Sequence, residues 1–316
     1  MIDVTVVIPV YNGEQTIKRC LESVLCQTIS NIEIIVVNDG STDKTEEVVK
    51  SFNDTRIKLI TTENRGQGFA RNIGIQAAKG KYIGFVDADD TIEEDMYEIM
   101  FSEGLQNKAD VVQCAINDIK SEIASIRPVT QDEVVRVTDI ADYTSRYFYS
   151  LIHTNEVCNK IFSAEFLKKC GVVFSDTKEF FSEDLKFNID ILSHITSIVF
   201  VKKALYNYYI SDLGHCRNNS PHRVEKIFNL YIASTDTIAN KTVQNAIRSM
   251  AVVNVLLYSV PVIDKVKQII CSKTMKKFML CSCAYKKTVR HTLLMLALIL
   301  LPYPLKKKLI VRQYTF

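Results

Sequence analysis

The sequence predicts an α/β protein built on an open, mostly parallel sheet with helices on both faces. Strand-like and helix-like segments alternate four times within the first 90 residues, with short loops between them. Such alternation marks parallel strands joined by crossover helices. Chemistry-bearing residues collect where those strands end: Pro9-Val10-Tyr11-Asn12, then Asp39, then Asp87 and Asp89. In open sheets of this kind, ligands bind in the crevice beyond the carboxyl ends of the strands.

The first strand, Asp3 to Val10, reads as buried, with Pro9 at its end where no ladder donor is needed. Glu14 to Leu25 follows as a helix, with Ile17, Cys20, Leu21, Val24 and Leu25 at helical spacing. Ile32 to Val37 is the second strand; Asn38-Asp39-Gly40-Ser41-Thr42-Asp43 turns the chain and caps a helix over Lys44 to Phe52. Arg56 to Thr61 is the third strand. After Asn64-Arg65-Gly66-Gln67-Gly68, a helix runs from Phe69 to Ala78, and Tyr82 to Val86 is the fourth strand. Beyond Thr91 the pattern predicts a helix over Ile92 to Gly104, a short strand at Asp110 to Ala115 and a loop or hairpin over Lys120 to Thr138. A helix over Glu183 to Ser193, a strand at Ile198 to Val201 and mainly helix from Val224 onward follow.

The apolar run Tyr82-Ile83-Gly84-Phe85 ends in Val86-Asp87-Ala88-Asp89-Asp90. Two acids spaced i, i+2 at a strand end can hold a hard divalent cation through oxygen, and Mg²⁺ usually shares its shell with substrate phosphates. The pattern therefore points to a nucleotide diphosphate; taken alone, it also fits a solvated acidic loop.

At 316 residues the chain accommodates one large domain or two modest ones. Its 47% hydrophobic and 24% charged residues are those of a soluble globular protein. Nine cysteines include no C-x-x-C pair and no histidine spacing that completes a zinc site. Without a recognisable signal peptide, reduced thiols in the cytosol are expected. The net charge of +3 conceals an asymmetry: Asn240 to Phe316 holds 14 Lys and Arg against one acid, Asp264, leaving 25 basic and 35 acidic residues elsewhere. A segment of +13 beside a remainder of −10 suits contact with an anionic surface, nucleic acid or lipid.

Five ordered blocks carry a family resemblance: Val7-Ile8-Pro9-Val10-Tyr11-Asn12, Glu33 to Asp43, Asn64-Arg65-Gly66, Ala70-Arg71-Asn72 and Phe85 to Asp90. Together they resemble family 2 glycosyltransferases of GT-A fold, of the kind that build bacterial surface polysaccharide. The resemblance is dense over residues 3 to 100. It thins towards 211 through Asn159-Lys160-Ile161-Phe162, Ser182-Glu183-Asp184 and Tyr206-Asn207-Tyr208-Tyr209. It implies a GT-A domain over 1–220, with a nucleotide-binding half over 1–105 and an acceptor half over 106–220. A mainly helical, basic region then covers 221–316.

The resemblance also assigns roles. Pro9, Tyr11 and Asn12 flank the base, with Tyr11 packing on the uracil of a UDP-sugar, and Asp39 accepts the ring N–H. Arg71 lies near the base or the diphosphate. Asp87 is expected on the ribose or close to the metal, and Asp89 as the direct ligand of Mn²⁺ or Mg²⁺. Glu183 and Asp184 match the family's E-D segment, with Asp184 as the base that deprotonates the acceptor hydroxyl and inversion at the anomeric carbon. His215 stands where some relatives bring a histidine or serine loop over the diphosphate, which makes it a further metal candidate. Each has a plain alternative: a strand-end aromatic for Tyr11, a turn cap for Asp39, a solvated cation for Arg71, and a surface histidine for His215. For Glu183 and Asp184 it is a favourable helix N-terminus.

Thr292 to Leu301 carries no charge, ends at Pro302 and is flanked by Lys286, Lys287, Arg290 and Lys306-Lys307-Lys308. It is too short to span a bilayer, which needs about 20 apolar residues. The expectation is peripheral attachment to the anionic inner face of the cell membrane, matching a glycan or lipid-linked acceptor; the alternative is a buried helix with a basic outer face. A nucleotidyltransferase shares a similar sheet, but Tyr11-Asn12-Gly13 replaces its Gly-rich phosphate loop. A dinucleotide dehydrogenase lacks its G-x-G-x-x-G here. A nucleotide-sugar binder without transferase activity would not need Asp87, Asp89, Glu183 and Asp184 together, and no RNA-binding signature supports nucleic acid.

Overall fold

The alternation of the first 90 residues folds as its periodicity predicts. Val4–Val10 (β1), Ile32–Asp39 (β2), Ile57–Thr62 (β3) and Tyr82–Phe85 (β4) are mutually parallel strands, separated by the helices Ile17–Leu25, Thr45–Lys50 and Gln67–Ala77. The computed structural model describes residues 1–120, 123–127, 132–148, 154–176, 182–210, 220–285 and 289–314. These divide into two units: one contains the described residues up to Thr138 with 154–176 and 183–210, the other 139–148, 182 and those from 220 on.

In the first unit the sheet continues through Thr91–Ile92 (β5), Val111–Lys120 (β6), Ile123–Arg127 (β7), Glu133–Arg136 (β8), Lys160–Ser163 (β9) and Ser197–Tyr209 (β10). Its order is β3-β2-β1-β4-β9-β6-β10-β5, with β7 on β6 and β8 on β10. Every residue of β1 is buried, as expected of a strand paired on both sides. Pro9 pairs with Val37 of β2, but the β4 register stops at Val7, so one side of Pro9 faces no strand.

The helix expected over Ile92 to Gly104 spans Met96–Asn107, with Ile92 paired in β5 instead, and three strands also depart from the predicted pattern. β9 is a four-residue strand lying antiparallel between β4 and β6; with Lys160 at its start it has no apolar periodicity to reveal it. β6 runs five residues beyond Ala115 because Ile116–Lys120, rich in polar residues, is held by β7 on one side and β10 on the other. β10 likewise extends from Val201 to Tyr209, bending through register shifts at Ala204 that carry it past β8 to pair with β5.

The second unit is helical: Pro221–Thr237, Lys241–Ser259, Lys273–Tyr285, Val289–Leu300 and Tyr303–Tyr314 are its principal helices. Ser220 caps the first by accepting the Arg223 N–H at 3.2 Å, with Pro221 in the first turn where no donor is missed. Phe228 meets Phe278 edge-on at 5.9 Å, and Ser249 and Ser282 share a buried hydrogen bond of 2.6 Å. Among the described residues no helix is long and apolar enough to cross a membrane. Within the apolar run, Met295 and Leu298 are buried, while Leu300 is 78% exposed. Lys286 and Lys287 lie outside the described residues.

Candidate active site

The ends of β1 and β2 are joined by side-chain-to-backbone bonds. Pro9 is buried, whereas Tyr11 is 53% exposed just past the strand end. Asn12 has φ 50°, a left-handed conformation that asparagine tolerates. Its Oδ1 accepts the Thr42 N–H at 2.8 Å and its own N–H donates to Ser41 Oγ at 2.9 Å. The turn after β1 is thereby fastened to the turn after β2.

Asp39 is buried, and its two oxygens accept the Arg65 N–H at 2.9 Å and the Gly66 N–H at 2.7 Å. Each oxygen retains acceptor capacity, since a carboxylate offers about four lone-pair sites. Gly66 adopts φ 96°, where a side chain would be strained. The next residue, Gln67, donates from Nε2 to Asp87 Oδ1 at 2.8 Å. Asp39 and Asp87, from separate strands, are therefore both anchored on residues 65–67, which places the two acids at one stretch of the crevice.

Arg71 projects from the helix begun at Gln67 and is only 1% exposed. Its Nη2 donates to Asp87 Oδ1 at 2.9 Å, and its Nη1 to Glu183 Oε1 at 2.9 Å and Asp184 Oδ1 at 2.8 Å. The helix seats closely because residue 68 is glycine: a Cβ there would lie 2.4 Å from the Ser175 carbonyl oxygen. Asn72 holds Phe174 by two bonds of 2.8 Å to its backbone, and the Phe174 ring, stacked 4.1 Å from Phe187, faces the guanidinium at 5.3 Å. Burial opposes the charge on Arg71, but three carboxylates outweigh it and hold the group more firmly protonated than usual.

Asp184 opens the Glu183–Ile191 helix and keeps 20% of its side chain exposed. Its Oδ2 accepts the Val157 N–H at 3.4 Å. Burial, together with the charges of Glu183 and Asp87, pushes its carboxyl up to about 7 against the opposing pull of Arg71. A group titrating there is well matched to proton abstraction near neutral pH. Asn188, one turn on, donates to both the Asp184 and the Asn155 carbonyls and so ties the helix to the 154–159 loop.

The three acids of Asp87-Ala88-Asp89-Asp90 have different surroundings. Asp90 is 1% exposed; it accepts the Tyr206 hydroxyl at 2.7 Å and the Tyr209 N–H at 2.8 Å. The same hydroxyl accepts the Asp87 N–H at 3.2 Å, so Asp90 and Tyr206 lock this loop to β10. Burial, with Asp87 and Asp89 beside it, pushes the Asp90 carboxyl up to about 8. Asp87 is half-buried and held by Arg71 and Gln67, while Asp89 is exposed. Partial desolvation and the Asp87 charge raise the Asp89 carboxyl above its ordinary range, a state that a cation would relieve. Among the described residues, no group of three or more His, Cys, Asp or Glu is arranged to hold a metal by itself. The oxygen-only pair Asp87 and Asp89 instead fits a hard divalent ion whose remaining ligands come from a substrate. His215 lies outside the described residues.

Residues 5–171 match the family described as glycosyl transferase family 2. The chain belongs to glycosyl transferase family 2. Within that family it resembles the glycosyltransferase EpsJ of Bacillus subtilis (strain 168), with 34% identity over 213 residues, 65% of this chain and 60% of that protein. It also resembles the glycosyltransferase YibD of Escherichia coli (strain K12), with 29% identity over 67% of this chain and 63% of that one. The match thus spans about 60% of the length of these relatives. Among solved structures, residues 1–349 of S. aureus TarS in complex with UDP-GlcNAc share the GT-A fold at a TM-score of 0.73. That likeness covers 99% of this chain and 91% of that one at 19% identity. A Pyrobaculum calidifontis mannosyltransferase in complex with GDP-Man and Mn²⁺ superposes with a TM-score of 0.58 over 98% of this chain and 84% of that one, at 17% identity.

The family resemblance in the sequence named Asp39, Arg71, Asp87, Glu183 and Asp184; the fold brings the last four into one hydrogen-bonded cluster and anchors Asp39 on the nearby backbone of residues 65 and 66. It gave no role to Gln67, Asn72, Phe174 or Tyr206. Asn72 and Tyr206 sit inside quoted family segments, a signal that was available; Gln67 and Phe174 become visible only through their contacts. Lys160, within the family segment Asn159 to Phe162, likewise had no role assigned to it. It is fully buried, and its Nζ donates to the Thr154 carbonyl and hydroxyl at 3.0 Å each, to Asn159 Oδ1 at 3.1 Å and to the Glu156 carbonyl. All four partners belong to the loop whose Val157 N–H meets Asp184.

Proposed function

We propose that this chain transfers a sugar from a UDP-sugar to a hydroxyl of a glycan or lipid-linked acceptor, with inversion, in polysaccharide assembly. The observation that carries the proposal is Arg71, whose two terminal nitrogens bond Asp87 on the donor side and Glu183 and Asp184 on the acceptor side at 2.8–2.9 Å. Tyr11 offers an exposed ring for the base, and Asp39 retains lone pairs for the ring N–H. The UDP-GlcNAc bound by TarS supports uridine as the nucleotide.

In this reading Asp184 takes the proton from the acceptor hydroxyl as its oxygen attacks the anomeric carbon from the face opposite the leaving diphosphate. Arg71 is a positioning residue: it keeps Asp184 ionised and orients it, and aligns Asp87. Asp87 and Asp89 would hold Mn²⁺ or Mg²⁺; the ion named with GDP-Man in the Pyrobaculum enzyme supports this. Such an ion, when bound, stabilises charge developing on the diphosphate. Glu183 shares the Arg71 guanidinium and limits how far it can move towards Asp184. A lipid-linked acceptor would place the enzyme at the cytoplasmic face of a membrane.

The test is a release assay across a panel of UDP-, GDP- and TDP-sugars, with and without Mn²⁺. Metal-dependent release of UDP from one UDP-sugar is expected. Turnover of a GDP-sugar alone, or release indifferent to metal, would contradict the proposal.

A further inference from the structure

We propose that the outer face of the Tyr303–Tyr314 helix docks on a bilayer surface rich in anionic phospholipid. The inference rests on the membrane-linked acceptor proposed above and adds where, and by what chemistry, the chain meets lipid.

The helix has two unlike sides. Lys306 and Ile310 turn inward at 4% and 0% exposure, Lys306 donating to the Ile299 carbonyl at 3.3 Å. Outward, Pro304, Lys307, Lys308, Val311 and Arg312 line a shallow hollow of about 550 Å³. Leu305, beside them, is 48% exposed, and Leu300 at the end of the preceding helix 78%. No acid occurs on this helix, and Asp264 is the only one from Asn240 to Phe316. Asp264 is already engaged by Lys307 at 2.5 Å and by the Tyr303 hydroxyl at 3.1 Å. Among the described residues, Lys308 and Arg312 have no carboxylate partner.

Apolar side chains interleaved with unneutralised cations are what an interfacial helix needs. The leucines, the proline and the valine enter the boundary between headgroups and acyl chains, while the long cationic side chains extend to lipid phosphates. A second copy of this chain is a poor occupant, because two such basic faces repel. Nucleic acid is also disfavoured. Tyr303, in the first turn of the helix, is half-buried with Lys267 Nζ 5.0 Å from its centroid, a poor platform for base stacking.

The full chain is tested by co-sedimentation with phosphatidylcholine vesicles, with and without phosphatidylglycerol. Binding is expected only where phosphatidylglycerol is present, and high salt should release it. The double variant Lys308→Glu/Arg312→Glu should lower partitioning by at least about thirtyfold, at about fivefold for each cation lost. Leu300→Ser/Leu305→Ser should weaken vesicle binding while leaving retention on heparin unchanged. Equal pelleting with neutral vesicles, retention of the wild type at high salt, or wild-type partitioning by both double variants would overturn the proposal. UDP release, assayed on the same preparations without vesicles, separates the two readings. It should be unaltered in both double variants, and its absence from the wild type would refute the donor chemistry without touching the lipid result.

Discussion

Arg71 Nη1 lies 2.8 Å from Asp184 Oδ1, and the same guanidinium reaches Asp87 Oδ1 at 2.9 Å from its other terminal nitrogen. One buried cation therefore joins the acid at the end of β4 to the acid at the start of a helix 97 positions later in the chain. The pair is short and only partly open to water, so the geometry of the base depends on Arg71.

Replacing the base tests its role most simply. Asp184→Asn keeps the shape and the contact with Arg71 but cannot accept a proton. Turnover should fall by about 10²- to 10⁴-fold, while UDP affinity measured by titration stays near wild type. Wild-type turnover in this variant would remove Asp184 from the mechanism.

The pH profile tests Arg71. Asp184 titrates at about 7, and it must be ionised to act, so kcat/KM should decline below that pH. Arg71 opposes the upward shift; without it the carboxyl titrates higher and less base is ionised at neutral pH. Arg71→Met should accordingly move the acid limb up by about one pH unit or more, and Arg71→Lys should recover part of the difference. A variant with lower turnover but an unmoved limb would assign Arg71 to packing alone.

Lys160 is expected to stabilise the loop that faces Asp184. Lys160→Met leaves the Thr154 and Glu156 carbonyls without their shared donor and should cost about 1–3 kcal/mol, read from urea midpoints. Burial lowers the Lys160 pKa from 10.5 to about 8, so between those values the unfolded chain binds more protons than the folded one. Wild-type stability should therefore rise with pH across that window relative to Lys160→Met. Parallel curves for the two proteins would place Lys160 outside this linkage.

Much of the nucleotide-side half was legible because local rules and global fold agree there. β1 to β4 are apolar runs punctuated by Pro, Gly and Asp, and the acids fall at their ends because the crossover topology puts every such end on one edge. The other half was less legible for identifiable reasons. β9 is four residues long and starts with a lysine that is tolerated only because four oxygens surround it. The distal parts of β6 and β10 carry polar residues that pair through neighbours distant in sequence. Arg71 reads locally as one more cation on a helix. Its three carboxylate partners lie 16, 112 and 113 positions away, and no periodicity encodes that convergence.

The central claim is that the acids of β2 and β4 meet one nucleotide diphosphate, with the base alongside. Calorimetric titration of UDP in Mn²⁺ into the wild type, Asp39→Asn, Asp89→Asn and Asp184→Asn examines it directly. The account predicts affinity reduced by about tenfold or more in the first two variants, each losing a charge-assisted contact, and near wild-type affinity in the third. Unchanged binding by both Asp39→Asn and Asp89→Asn would contradict it.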